Sequence, residues 1–220
     1  MTWSQLGPLL WQGTVETVYM TLWASVVSYL LGLPLGVLLV ITRKNHIMPH
    51  PTFNAVLGVV VNFLRSIPFI IMLAILFPVT RAVMGTAIGT TSVIFPLVIS
   101  AFPYIARMVE SSLEDVDHGV IEAAVSMGST NAQIVFKVLL PEAVPSLLNG
   151  AAISITTILS YTALASAAGG GGLGALAIVK GLNIRNFEVM YTASLLLVAL
   201  VQIITVSGTR MMRGLDHKRR

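Results

Sequence analysis

Arg107-Met-Val-Glu-Ser-Ser-Leu-Glu-Asp-Val-Asp-His-Gly-Val-Ile-Glu122-Ala123-Ala124-Val-Ser-Met-Gly128-Ser-Thr-Asn-Ala-Gln-Ile-Val-Phe-Lys137-Val-Leu-Leu140-Pro141-Glu142 is a charged, helix-patterned island in an apolar chain. It holds six of the nine acidic residues and has long apolar stretches on either side. Carboxylates gathered in one connection between apolar segments read as a docking place. Val109, Leu113, Val116, Val120, Ala124 and Met127 recur at three- and four-residue steps, which is one face of a helix. Asp115 and Asp117 suit a helix start, where a carboxylate meets free N–H groups and the positive end of the helix dipole. Gly128 suits the left-handed conformation that ends a helix. Thr130-Asn-Ala-Gln133 fits a capping box that opens a second helix, which Pro141 is expected to stop. Periodicity alone favours an ordinary amphipathic surface helix.

Outward from the island, composition sets the class. The 220 residues are 55% hydrophobic and only 10% charged, against about 25% charged in soluble domains. The reading is an all-α membrane protein. With no cysteine, disulfide scaffolds and thiolate chemistry are excluded. A spanning helix needs about 20 apolar residues. Five stretches qualify, near 17–41, 55–79, 88–108, 147–168 and 189–210, leaving 109–146 as the loop that carries the island. The first is too long for a cleaved signal peptide and reads as a retained span, with Gly32 and Gly36 at helix-packing spacing and Pro34 as a bend. One domain over 1–220 is expected, with no linker and no internal repeat.

Basic residues orient the spans. Arg43, Lys44, Arg107, Lys137, Arg210, Arg213, Lys218, Arg219 and Arg220 fall on one side, against Arg81, Lys180 and Arg185 on the other. Nine against three makes the first side cytoplasmic, with the N-terminus outside and the C-terminus and island inside. The basic tail suits anionic lipid headgroups rather than nucleic acid.

Other residues bear on a pathway. Arg65 lies in the second span, where a charge must pair, snorkel or face water; pairing, with Glu110 as the candidate partner, and an interfacial position stand about even. Pro96 and Pro103 sit in the third span, where each frees a backbone carbonyl that must find water or protein, which points to pathway lining over a packing kink. Ser154, Thr157 and Tyr161 share one face of a hydroxyl-rich fourth span, where helix packing is the commoner use of such groups. Gly169-Gly-Gly-Gly172-Leu-Gly174 looks like a phosphate cradle but lacks the Gly-Lys-Ser/Thr end of a P-loop, so a flexible external turn is expected. His46, His50, His118 and His217 show no metal-ligand spacing with acidic residues.

Glu122-Ala123-Ala124, then Gly128, Val138 and Leu140-Pro141, resembles the cytoplasmic signature of permease subunits of bacterial ABC importers. Val138 stands where that pattern usually has isoleucine. Phe63-Leu-Arg-Ser-Ile-Pro-Phe-Ile-Ile71, Thr80-Arg-Ala-Val-Met-Gly-Thr-Ala-Ile-Gly89, Ile105-Ala-Arg-Met-Val-Glu110 and Lys137-Val-Leu-Leu-Pro-Glu-Ala143 extend the similarity to methionine-uptake permeases over nearly the whole chain. The resemblance implies a coupling helix at Glu122, Ala123, Ala124, Gly128, Leu140 and Pro141 seated on a separate ATPase subunit. It further implies a homodimer of five-span subunits in the bacterial inner membrane, two ATPase subunits that carry ATP and Mg, an external substrate-binding lipoprotein, and no cofactor in this chain. Methionine is the solute it implies, moved by alternating access. A secondary transporter or channel needs ionisable residues in several spans, and only Arg65 qualifies. An intramembrane enzyme needs a nucleophile with a base, which the hydroxyls lack.

Overall fold

A computed structural model describes residues 3–215, with side chains described for 6–211. The tail residues Lys218, Arg219 and Arg220 and the side chain of Arg213 lie outside the described residues, as does His217. Among the described residues all regular structure is helical. The elements are α1 (Trp3–Ile41), α2 (Pro51–Ser66), α3 (Phe69–Met84), α4 (Ile94–Glu114), α5 (His118–Ser126), α6 (Asn131–Ile134), α7 (Leu140–Leu164), α8 (Gly172–Ala175) and α9 (Phe187–Leu215). π turns occupy Val135–Leu139 and Leu176–Asn183, and a 3₁₀ turn Ala165–Ala168.

α1 is apolar all round, so no polar face confines it to a protein surface. Its 39 residues rise about 1.5 Å each, roughly 58 Å in all, against the roughly 30 Å hydrocarbon core of a bilayer. It therefore starts well before the expected span at 17–41. Among the described residues four helical stretches are long and apolar enough to cross a membrane, and α2 with α3 makes a fifth if the pair is one broken span. The expected straight helix at 55–79 is two helices bent by 102°. Pro68 is the cause: it has no N–H to continue the ladder and pushes Ile67 out of helical geometry. The Pro68 carbonyl then accepts from the N–H groups of Ile71 and Met72, each at 2.9 Å, and starts α3 afresh.

By its contacts the chain falls into two compact units, Met1–Ser28 with Ile67–Ala101 and Ile155–Thr205, and Tyr29–Ser66 with Phe102–Ser154 and Val206–Arg220. In the first, Leu6, Leu173, Leu176, Val189 and Ala193 form a buried cluster. In the second, Leu39, Val61 and Ala106 do so. There Gly32 and Gly36 meet α4 so closely that a Cβ on Gly32 would lie 2.8 Å from the Phe102 carbonyl oxygen, and one on Gly36 2.6 Å from that of Ala106. The glycine spacing of α1 is a packing groove for α4.

Candidate coupling site

α4 runs through Glu114, six residues past the expected span end, because Val109 and Leu113 continue its buried face. The ladder then breaks at 115–117. Asp117 caps α5, its Oδ1 accepting from the Gly119 N–H at 2.7 Å. This break resets the helical phase. Ile121 and Ala124 turn inward, whereas Val120 and Met127, read from the sequence as sharing one helical face with Ala124, are exposed.

Gly128 adopts φ +77°. Its N–H donates to the Val125 carbonyl at 2.9 Å and that of Ser129 to the Ala124 carbonyl at 3.1 Å, the paired bonds of a Schellman ending. Thr130 and Gln133 then form the expected capping box, with Thr130 N–H to Gln133 Oε1 at 2.8 Å and Gln133 N–H to Thr130 Oγ1 at 3.3 Å.

Pro141 does not stop the second helix: α6, the π turn and α7 run on as one apolar stretch from Asn131 to Ala168. The π turn explains this. It shifts the ladder so that the Leu140 N–H bonds to the Val135 carbonyl, five residues back, and the widened turn makes room for a ring that clashes in a regular helix. Glu122, Ala123, Gly128 and Pro141 are exposed, Leu140 is half-buried, and Ala124 is buried. With Met127 exposed at 79% and Phe136 at 70%, the surface offers apolar knobs beside a carboxylate. That chemistry suits a protein partner.

A charge network lies behind this surface. Glu110 is buried; its Oε1 accepts from Arg43 Nη2 at 2.7 Å and its Oε2 from Arg107 Nη1 at 2.5 Å. Arg43 also pairs with Glu114, and Arg107 Nη2 donates to the Gly58 carbonyl of α2 at 2.9 Å. Arg65, by contrast, is exposed in the last turn of α2 and makes no ion pair among the described residues, so Glu110 is not its partner. Arg43 was missed as a partner of Glu110 because it lies 67 residues away in the sequence.

Near the same surface, His46 Nδ1 is buried without a hydrogen bond. Burial, then the neighbouring His118 and Arg43, lower its pKa from the ordinary value of 6.5. His50 is exposed, and among the described residues no three metal-binding groups converge.

The pathway candidates scatter. Pro96 sits in the first turn of α4, where the Ser92 carbonyl is already taken by the Phe95 N–H at 3.3 Å, so it frees no carbonyl. Pro103 is buried inside α4. Ser154 is buried and donates to the Gly150 carbonyl of its own helix at 2.7 Å. Thr157 is half-buried, and Tyr161 stacks on Phe69 with ring centroids 4.8 Å apart.

The glycine run is a built turn rather than a loose one. The Gly172 N–H donates to Glu16 Oε2 at 2.7 Å and the Leu173 N–H to Thr17 Oγ1 at 2.8 Å. A Cβ on Gly174 would overlap the Ala163 Cα. One of its amides does meet a carboxylate, and that carboxylate is the chain's own Glu16. The signal available in the sequence was a lone carboxylate directly before the first apolar span.

Residues 28–220 match the family described as binding-protein-dependent transport system inner membrane component. The chain is 45% identical over 210 residues to the probable D-methionine transport system permease protein MetI of Vibrio cholerae serotype O1, covering 96% of this chain and 93% of the relative. It is 40% identical over 209 residues to the methionine import system permease protein MetP of Bacillus subtilis, covering 95% and 94%. Among solved structures, inward-facing MetNI methionine ABC transporter superposes with a TM-score of 0.96 at 42% identity, over 99% of this chain and 100% of that one.

Proposed function

Because the chain belongs to the family of inner membrane components of binding-protein-dependent transport systems, we propose that the solute it carries across the bilayer is methionine. It is a permease subunit of an ABC importer, and ATP hydrolysis belongs to a separate subunit. The observation that carries the solute assignment is near-complete coverage at 42% identity and a TM-score of 0.96 against a methionine transporter.

Two copies of this chain, each one transmembrane domain over 1–220, would bind two ATPase subunits through α5 and the residues around Gly128. The exposed knobs Val125 and Met127 beside Glu122 support that role. ATP and Mg would act in those subunits. An external substrate-binding lipoprotein would deliver the amino acid to the side opposite α5, with the N-terminus outside and the C-terminus inside, as the basic residues favour. A zwitterion entering hydrocarbon loses hydration that the route must replace. The half-buried Thr157 and the stacked Phe69–Tyr161 pair are its candidate lining.

Co-expression with the cognate ATPase and binding protein tests the assembly. The expected outcome is a stable permease–ATPase complex whose ATP hydrolysis is stimulated by the methionine-loaded binding protein. A chain that purifies without the ATPase and moves solute without ATP contradicts it.

A further inference from the structure

Glu110 presents a problem that the coupling surface does not use. Its side chain is only 6% exposed, at the end of a long apolar helix, and a buried carboxylate is costly unless fully paired. Both of its oxygens are taken, each by a different arginine. One arginine lies on the connection after α1; the other belongs to α4 and reaches across to the Gly58 carbonyl of α2. A Cβ on Gly58 would lie 3.3 Å from Arg107 Nη2, so glycine lets the guanidinium reach the backbone. Asn54 of α2 adds a second tie, donating to the Leu39 carbonyl at 2.6 Å and to Thr42 Oγ1 at 2.9 Å. Two arginines and two carboxylates thus join the end of α1, the body of α2 and the last two turns of α4.

The location matters because α4 and α5 are separated by the break at 115–117, just after Glu114. A broken hydrogen-bond ladder bends easily, so a push on α5 must pass through side chains that span the break: His118 and Ile121 of α5 line one cavity with Arg43 and Glu114. Arg43 holds Glu110 and Glu114 together on the α4 side of the break. We propose that Arg43, Arg107 and Glu110 are positioning residues that form a brace, transmitting displacement of α5 to α1 and α2 rather than letting the end of α4 flex. The proposal rests on the permease reading for what moves α5, and its structural readout needs no solute.

Hydrogen exchange with mass spectrometry on the complex with its ATPase subunits, nucleotide-free and ATP-trapped, tests it. In the parent, ATP is expected to change deuterium uptake in both His118–Ser126 and Pro51–Ser66. In Arg43→Gln and Glu110→Gln the change persists in the first segment and vanishes from the second, and methionine moved per ATP falls about tenfold. Arg43→Lys keeps the charge but lacks the fork that holds two carboxylates, so it falls between. If Glu110→Gln does not assemble, Arg43→Gln, at a half-exposed side chain, decides the matter. An assembled Arg43→Gln complex with a parent-like response in Pro51–Ser66 and an unchanged ratio overturns the brace. Parent-like exchange coupling without methionine import would instead remove the solute assignment and leave the brace standing.

Discussion

At the scale of single residues, Gly128 separates conformational cost from steric cost. A Cβ there would meet nothing of this chain within 4 Å, so within the subunit substitution acts through φ +77°. A non-glycine residue in the left-handed region costs about 1–2 kcal/mol, less for asparagine and more when β-branched. Methionine transport by assembled complexes should therefore fall in the order Gly128→Asn, Gly128→Ala, Gly128→Val. Equal loss in all three, or none in the valine variant, contradicts the backbone argument. The capping chemistry of Asp117, Thr130 and Gln133 was legible in the sequence because each signal acts within three residues. Of the two arginines that hold Glu110, Arg43 was not, since 67 residues separate it from the carboxylate and only the packing of α1 on α4 brings them together.

At the scale of elements, apolar periodicity located the spans, but proline's consequences depended on context. Pro68 breaks its helix, Pro96 falls harmlessly in a first turn, and Pro141 is carried through by a π turn. Composition treats the three alike. A similar limit hid the end of the buried stripe, because the break at 115–117 changes the phase that periodicity assumes. The turn built by the glycine run depends on a distant carboxylate, Glu16, 156 residues before the Gly172 amide it accepts from. Glu16→Ala should leave that amide without its acceptor and cost about 1–3 kcal/mol. Glu16→Gln retains an acceptor oxygen and should lose less. Thermal unfolding of the purified complex checks the order, and an alanine variant as stable as the parent would show that the carboxylate does not hold the turn.

At the scale of the whole molecule, the bent pair α2–α3 leaves two topologies for a chain of this length and apolarity. Reporter fusions at residues 45 and 130 should read cytoplasmic, and those at 84 and 178 external. A cytoplasmic signal at 84 makes the pair a re-entrant loop, and an external signal at 130 removes α5 from reach of any cytosolic ATPase. The central claim is methionine import driven by a partner's ATP hydrolysis. It is tested most directly by uptake of radiolabelled methionine in cells stripped of their other methionine transporters and given this permease with its ATPase and binding protein. Accumulation that disappears when the ATPase is catalytically dead, or when the binding protein is omitted, is the expected result. Unchanged methionine uptake, together with ATP-dependent import of a different solute by the same three proteins, would contradict it.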